Sequence, residues 1–203
     1  MELGAGVGAL GLCAALLGAK QVLCTDYDSD VLENLEFNLK HNMDVIYPLE
    51  SNDKTNCECD EVRLQWAKLD WRSHAGSDLR GAEWLTDQEE EPRNNIEQDF
   101  DTDIVIGSAL VYSAQGALYC ADTVKYFLID RNVGECWILQ MPGRPGFDRF
   151  LLRLEHWGLN YETFDIREDV FQTAAKYMGP LKSDIDDFKL FVIQKPKQSK
   201  HYS

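Results

Sequence analysis

Apolar and polar positions alternate in short blocks along this chain, and the period of the alternation changes repeatedly. After a glycine-rich opening, MELGAGVGALG, the run GVGALGLCAALLGA predicts a buried helix and QVLCTD a short strand ending in an acid. Ser29 or Asp28 is placed to cap a helix carrying Val31, Leu32, Leu35 and Leu39 on one face. The stretch from Asn42 to Asp60 is polar and reads as loop, whereas VRLQWAKLDW alternates from Val62 to Trp66 and predicts a strand. Residues 72–102, with EEEP at 89–92, are the main irregular region and read as a solvated acidic loop. DIVIGSALVY predicts a strand running into a turn, Ser113 caps a helix through Leu128, and ECWILQM is another apolar strand. In FDRFLLRLEHWG, Phe147, Phe150, Leu151, Leu154 and Trp157 fall at helical spacing, and Gly158 supplies a stop. NYETFDI and DFKLFVIQK close the chain as two strands separated by an insert around VFQTAAKYM, and KPKQSKHYS reads as a frayed tail.

Strand and helix alternating in this way predict a doubly wound α/β domain with a mostly parallel sheet over residues 1–195, and a flexible tail at 196–203. A length of 203 residues suits one such domain. Sheets of this kind bind ligands at the carboxyl ends of their strands. That places the chemistry at Gly4 to Gly8, Asp26, Asp70, Ser108 to Tyr112, and Met141 to Arg144.

The net charge of −15 argues against nucleic acid as a partner and favours a lysine-rich protein or a cationic small molecule. No run of 18 apolar residues occurs, and no charged region precedes an apolar stretch at the start, so neither a membrane span nor a signal peptide is expected. Of the six cysteines, Cys13, Cys24, Cys120 and Cys136 lie in apolar segments and read as small core residues. Cys57 and Cys59 have no second pair at zinc spacing, so no metal is expected. This usage fits a reducing intracellular compartment, cytoplasm or nucleus. None of His41, His74, His156 and His201 is expected to be catalytic, because each falls in a loop or on a surface face.

The glycines offer two overlapping patterns. From Gly6, G-V-G-A-L-G matches a dinucleotide fingerprint; from Gly4, the reading is E-L-G-A-G-V-G. In either frame the backbone turns sharply and lets a ligand approach without a Cβ in the way. Asp26 lies 20 residues beyond Gly6, at the end of the next strand, where an acid grips ribose hydroxyls. Glu2 separates the two frames: a carboxylate so near the loop repels a pyrophosphate, and it can reach a cationic amino-acid moiety through the loop or by water.

The E-L-G-x-G-x-G form resembles the first motif of the seven-stranded, class I S-adenosylmethionine-dependent methyltransferases. TDYDSDVLENLEFNLKHN, with Asn34, Asn38 and Asn42, is similar to the second-strand acid and following helix of their methyltransferase-like protein-lysine branch. LDW at 69–71, DIVIGSALVYS and DFKLFVIQK resemble its third, fourth and last strands, so the resemblance covers nearly the whole chain. It implies a Rossmann-like seven-stranded sheet whose last strand is antiparallel, and S-adenosylmethionine as cofactor. It also implies cofactor contacts from Glu2, Gly4, Ala5, Gly6, Gly8, Asp26, Tyr27, Asp70, Trp71, Ser108 and Ala109. Tyr112 would orient the acceptor, a lysine on a protein substrate, and the enzyme would be monomeric.

Two departures accompany the resemblance. Ala109 stands where the family's D-x-x-Y signature has its acid, although Tyr112 keeps its place. The first strand has three residues before its glycine, so a truncated strand without the family's N-terminal segment is expected. A small-molecule N-methyltransferase and a non-catalytic cofactor-binding module on the same scaffold are the alternatives. Amino methylation of nucleic acid is disfavoured, because the D/N-P-P-Y/F sequence it uses after the fourth strand is absent. In MPGR, Arg144 is either a surface residue or part of a turn over the substrate.

Overall fold

A computed structural model describes residues 1–42, 63–79, 100–170, 172–173 and 187–196. Its strands are β1 (Glu2–Leu3), β2 (Gln21–Asp26), β3 (Arg63–Lys68), β4 (Ile104–Ser108), β5 (Glu135–Gln140), β6 (Asn160–Asp165) and β7 (Lys189–Gln194). Its α-helices are α1 (Ala9–Leu16), α2 (Ser29–His41), α3 (Ala114–Lys125) and α4 (Phe147–His156). A 3-10 turn occupies Trp71–His74, and a π turn at Tyr126–Asp130 continues α3. The strands form one sheet of seven in the order β3-β2-β1-β4-β5-β7-β6. β2 runs parallel to β1 and β3, and β4 parallel to β5, whereas β7 is antiparallel to both β5 and β6. This is the α/β architecture that the alternation predicts, with the antiparallel last strand that the resemblance implies.

By its contacts the chain divides into two compact units, Met1–Asp70 with Glu83–Thr102, and Trp71–Ala82 with Asp103–Ser203. Several expectations lie outside the described residues: most of the loop after Asn42, positions 80–99 of the acidic region, most of the VFQTAAKYM insert, Cys57, Cys59, His201 and the tail from 197.

In the first unit β2 is buried through Val22, Leu23, Cys24 and Thr25 without alternation, as a parallel strand covered on both faces must be. Val22 and Cys24 pack with Ala5, Ala15, Leu35 and Leu39 in one apolar cluster. The cap of α2 is Asp28, whose carboxylate accepts from the N–H groups of Asp30 at 2.9 Å and Val31 at 3.2 Å. Helix α1 corrects the expectation of a buried helix. Only Gly11 and Ala15 of it are buried, Cys13 is exposed rather than core, and Leu17 just beyond it is 89% exposed. A short helix lying over one strand has only one face to cover, and an all-apolar sequence conceals which face that is.

In the second unit Ser113 caps α3 by accepting from the Gly116 N–H at 3.0 Å. Phe147, Phe150 and Leu154 of α4 are buried, as their spacing predicts. Between them Arg153 turns inward to Asp122 of α3, and Gly158 ends the segment with φ of 70°. Strand β6 is exposed along most of its length, as the outermost strand of the sheet.

Candidate functional site

In the first unit the glycine loop crosses from β1 to α1 with Gly4, Gly6 and Gly8 all in the left-handed region, at φ of 56°, 54° and 84°. Ala5 N–H donates to the Thr25 carbonyl at 2.8 Å and Gly8 N–H to that of Ala5 at 2.8 Å. Asn38 of α2 donates its side-chain amide to Val7 O at 3.0 Å. The loop is packed hard from below: a Cβ on Gly8 would stand 2.5 Å from Leu35 Cδ1. A Cβ on Gly6 would meet nothing within 4 Å. The open side of the loop is therefore at Gly6, where a ligand can come close to the backbone.

Asp26 ends β2 beside that opening. Its Oδ2 accepts from Gly6 N–H at 3.1 Å, and its Oδ1 from Tyr27 N–H at 2.8 Å. A carboxylate has about four lone-pair sites, so Oδ2 keeps acceptor capacity for a hydroxyl group. Tyr27 is exposed next to it. Leu69 N–H donates to the Asp26 carbonyl at 2.8 Å, which brings half-buried Asp70, after β3, to the same end of the sheet.

Glu2 lies under the glycine loop. Its carboxylate is buried beneath the loop, where Oε2 accepts from Gly11 N–H at 2.9 Å and the carboxylate is hydrogen-bonded to the Cys24 thiol. Burial pushes its pKa up to about 7, with the Cys24 and Gly11 hydrogen bonds opposing. The same burial, with the Glu2 carboxylate beside it, raises the Cys24 thiol far above its ordinary value, so it stays protonated. A Cβ on Gly11 would lie 2.2 Å from Cys24 Sγ and 2.7 Å from Glu2 Oε2.

In the second unit Ser108 closes β4 and is exposed. Ala109 then turns into the left-handed region at φ of 53° while its N–H bonds the Leu139 carbonyl at 2.8 Å. Leu110 and Val111 are buried, and Tyr112 stands out at 63% exposure. The Arg144 guanidinium lies 4.7 Å from the centre of the Tyr112 ring. MPGR thus places its arginine on Tyr112. Half-buried Trp71 opens the 3-10 turn.

The structure therefore gathers Glu2, Gly4, Ala5, Gly6, Gly8, Asp26 and Tyr27 around one loop, and Ser108, Ala109 and Tyr112 along one strand end. The described histidines take part in packing. His74, in the 3-10 turn, is half-buried and stacked on Tyr126 at 4.1 Å. His41 stacks on Phe37, and His156 meets Trp157 edge-on. Among the described residues no group of three or more His, Cys, Asp or Glu is placed to hold a metal ion, and no helix is long and apolar enough to cross a membrane.

Residues 1–83, which include the loop and Asp26, match a family model described as lysine methyltransferase. In structure, the chain is similar to the ribosomal protein L11 methylase of Lactobacillus delbrueckii subsp. bulgaricus. The TM-score is 0.50 at 14% identity, covering 96% of this chain and 68% of that one. The chain shares the fold of that methylase. Among curated proteins it is 27% identical over 192 residues to the protein N-terminal and lysine N-methyltransferase EFM7 of Kluyveromyces lactis, covering 84% of this chain and 66% of that protein. It is 44% identical over 46 residues to the protein-lysine N-methyltransferase rrg1 of Schizosaccharomyces pombe, covering 23% of this chain and 15% of that protein. The chain spans at most 66% of the length of the curated relatives it matches.

The glycine loop fits a phosphate-free cofactor on its own chemistry. No Lys or Arg precedes Lys20, so no cationic side chain of the loop or of α1 is available to a pyrophosphate. What the loop offers is an open backbone at Gly6 and the spare acceptor of Asp26. One polar residue beside the Ala109 turn escapes a reading of the sequence: Gln140, fully buried at the end of β5. Its signal was available, because it shares the inward face of β5 with Cys136 and Ile138, both apolar and buried.

Proposed function

We propose that this chain is an S-adenosylmethionine-dependent protein N-methyltransferase whose acceptor is a lysine side chain. The observation that carries the reading is the match of residues 1–83 to a lysine methyltransferase family, on the segment whose loop is open at Gly6 with Asp26 beside it. S-adenosylmethionine, when bound, supplies a methyl group on a sulfonium. In this reading Gly4 to Gly8 carry it on their backbone, and Asp26 accepts from its ribose hydroxyls. Tyr27 and Asp70 border the adenine.

The remaining work is done on the acceptor. A lysine begins with a pKa near 10.4 and must be unprotonated to attack, so an entrance that strips water from the ammonium favours reaction. The ring of Tyr112 orients the amine, and no covalent catalytic residue is needed, because alignment carries most of an in-line displacement. The acidic net charge of −15 attracts a basic substrate segment. The free cysteines Cys13, Cys24, Cys120 and Cys136 support an intracellular setting, cytoplasmic or nuclear.

The test is transfer of labelled methyl from S-adenosylmethionine to protein in a cell extract, with Asp26→Ala as control. Loss of a hydrogen bond to a charged group costs about 1.5–3 kcal/mol, so Asp26→Ala should weaken cofactor binding about tenfold or more by calorimetry. Unchanged affinity would remove the ribose contact from Asp26. Ala109, in the place of the family's acid, favours a second reading: a small-molecule N-methyltransferase, for which the label leaves the protein bands and appears in the small-molecule fraction. Binding without transfer to either fraction would mark a non-catalytic module.

A further inference from the structure

Strands β4 and β5 pair regularly up to Ser108 opposite Leu139, and the last bond of the ladder is Ala109 N–H to the Leu139 carbonyl at 2.8 Å. There the left-handed turn at Ala109 takes the chain off the ladder, and Val111 would be left with an unpaired N–H and C=O in the interior. The Gln140 side chain replaces both partners. Its Oε1 accepts from Val111 N–H at 3.2 Å, and its Nε2 donates to the Val111 carbonyl at 3.4 Å and to the Met141 carbonyl at 3.5 Å. A fully buried amide thus continues the sheet by side chain, one residue before Tyr112.

The other side of Tyr112 is fixed as well. Ser113 caps α3, and a Cβ on Gly146 would stand 2.5 Å from the Ser113 carbonyl, so the turn that carries Arg144 packs directly on Ser113. Held on both flanks, Tyr112 projects beneath the Arg144 guanidinium. We propose that Gln140 is a positioning residue of the acceptor site, fixing the backbone from which Tyr112 presents its ring. The proposal rests on the reading that Tyr112 orients the acceptor, and it adds the residue that holds it there.

Gln140→Met keeps the volume and removes all three hydrogen bonds. In the full chain, amide exchange at Val111 should accelerate about tenfold or more relative to its intrinsic rate, the loss of one net hydrogen bond. The ring-current shift of Arg144 Nε in nitrogen-15 spectra should collapse toward its free value. Binding of S-adenosylhomocysteine by calorimetry should stay unchanged, while kcat for labelling a library of lysine peptides falls and KM for S-adenosylmethionine does not. Gln140→Glu is the second variant. Ionised, it keeps the acceptor and loses the donor; protonated, it carries both, so protection at Val111 should return as pH falls. Unaltered exchange and an unaltered Arg144 resonance in Gln140→Met overturn the assignment. An equal loss of melting temperature, S-adenosylhomocysteine binding and transfer also overturns it, since that is a general structural role. A wild-type protein that labels no peptide overturns the lysine reading and with it the acceptor role, whereas the exchange measurement still decides whether Gln140 holds Val111.

Discussion

Replacing Arg153 by methionine is expected to destabilise the protein by about 3–5 kcal/mol, the cost of leaving a buried carboxylate without its counter-ion. Asp122 is buried inside α3 and accepts four hydrogen bonds: Arg153 Nε at 2.7 Å, Arg153 NH2 at 2.9 Å, Trp157 Nε1 at 2.6 Å and Gly76 N–H at 2.8 Å. The other edge of the guanidinium meets Asp78 at 2.7 and 2.9 Å, and its face lies 4.9 Å from the Trp157 ring. Hydrogen bonds from Arg153 hold the Asp78 carboxyl below its ordinary pKa, and those to Asp78 and Asp122 raise the arginine above its own. The exposed Asp78 contributes little to stability, because water screens it. The weight falls on Asp122, which in Arg153→Met keeps two neutral donors and no cation. For a chain of this size the melting temperature should fall by roughly 10 °C. Removing the charge as well, in Asp122→Leu with Arg153→Met, should recover part of the loss, because an apolar replacement of a buried pair is close to neutral. A single variant that melts with wild type would show that water reaches Asp122 in solution.

The elements that organise both units were legible because their signals are local. The cap at Asp28, the unbroken apolar run of β2, the inward stripe of α4 and the acid ending β2 each lie within one helix turn or one strand. What escaped were side chains whose role depends on distant backbone. In FDRFLLRLEHW, Arg153 reads as the polar flank of an amphipathic helix; only the position of Asp122, thirty-one residues earlier, turns it into the centre of a network. Gln140 reads as the frayed end of a strand, and its purpose appears only when Ala109 leaves the neighbouring strand one residue too early for the ladder. Cys13 failed for the opposite reason. In a helix apolar on every face, periodicity carries no direction, and the residue placed in the core is one of those facing water. The candidate site followed the same division. The glycine turns and the acid that ends β2 could be read off directly, whereas the burial of the Glu2 carboxyl against Gly11 and Cys24 could not.

Glu2 yields the second large effect, on the dependence of stability on pH. Its carboxyl is raised from 4.5 to about 7 in the folded chain, chiefly by burial, while the unfolded chain keeps the ordinary value. Between those pH values the folded state holds a proton that the unfolded state has released, so this group's contribution to stability declines as pH rises through that window. Below the window both states are protonated, and above it both are ionised with the folded state bearing the cost. The whole span corresponds to about 3 kcal/mol. The groups facing the carboxylate act on it in known directions: Asp26 adds to the rise by repulsion, and the protonated Cys24 thiol and Gly11 N–H oppose it. Glu2→Gln keeps an oxygen for Gly11 N–H and cannot ionise, so the variant should be the more stable protein above pH 7 and converge on wild type near pH 4. The difference between the two unfolding curves isolates Glu2 from the other acids of a chain with charge −15, since these are common to both. A constant difference across that range would mean that the carboxylate is solvated and that the floor of the loop is open. A difference that grows with pH would mean that the glycine loop rests on a carboxyl kept dry between Gly11 and Cys24, close to losing its proton at neutral pH.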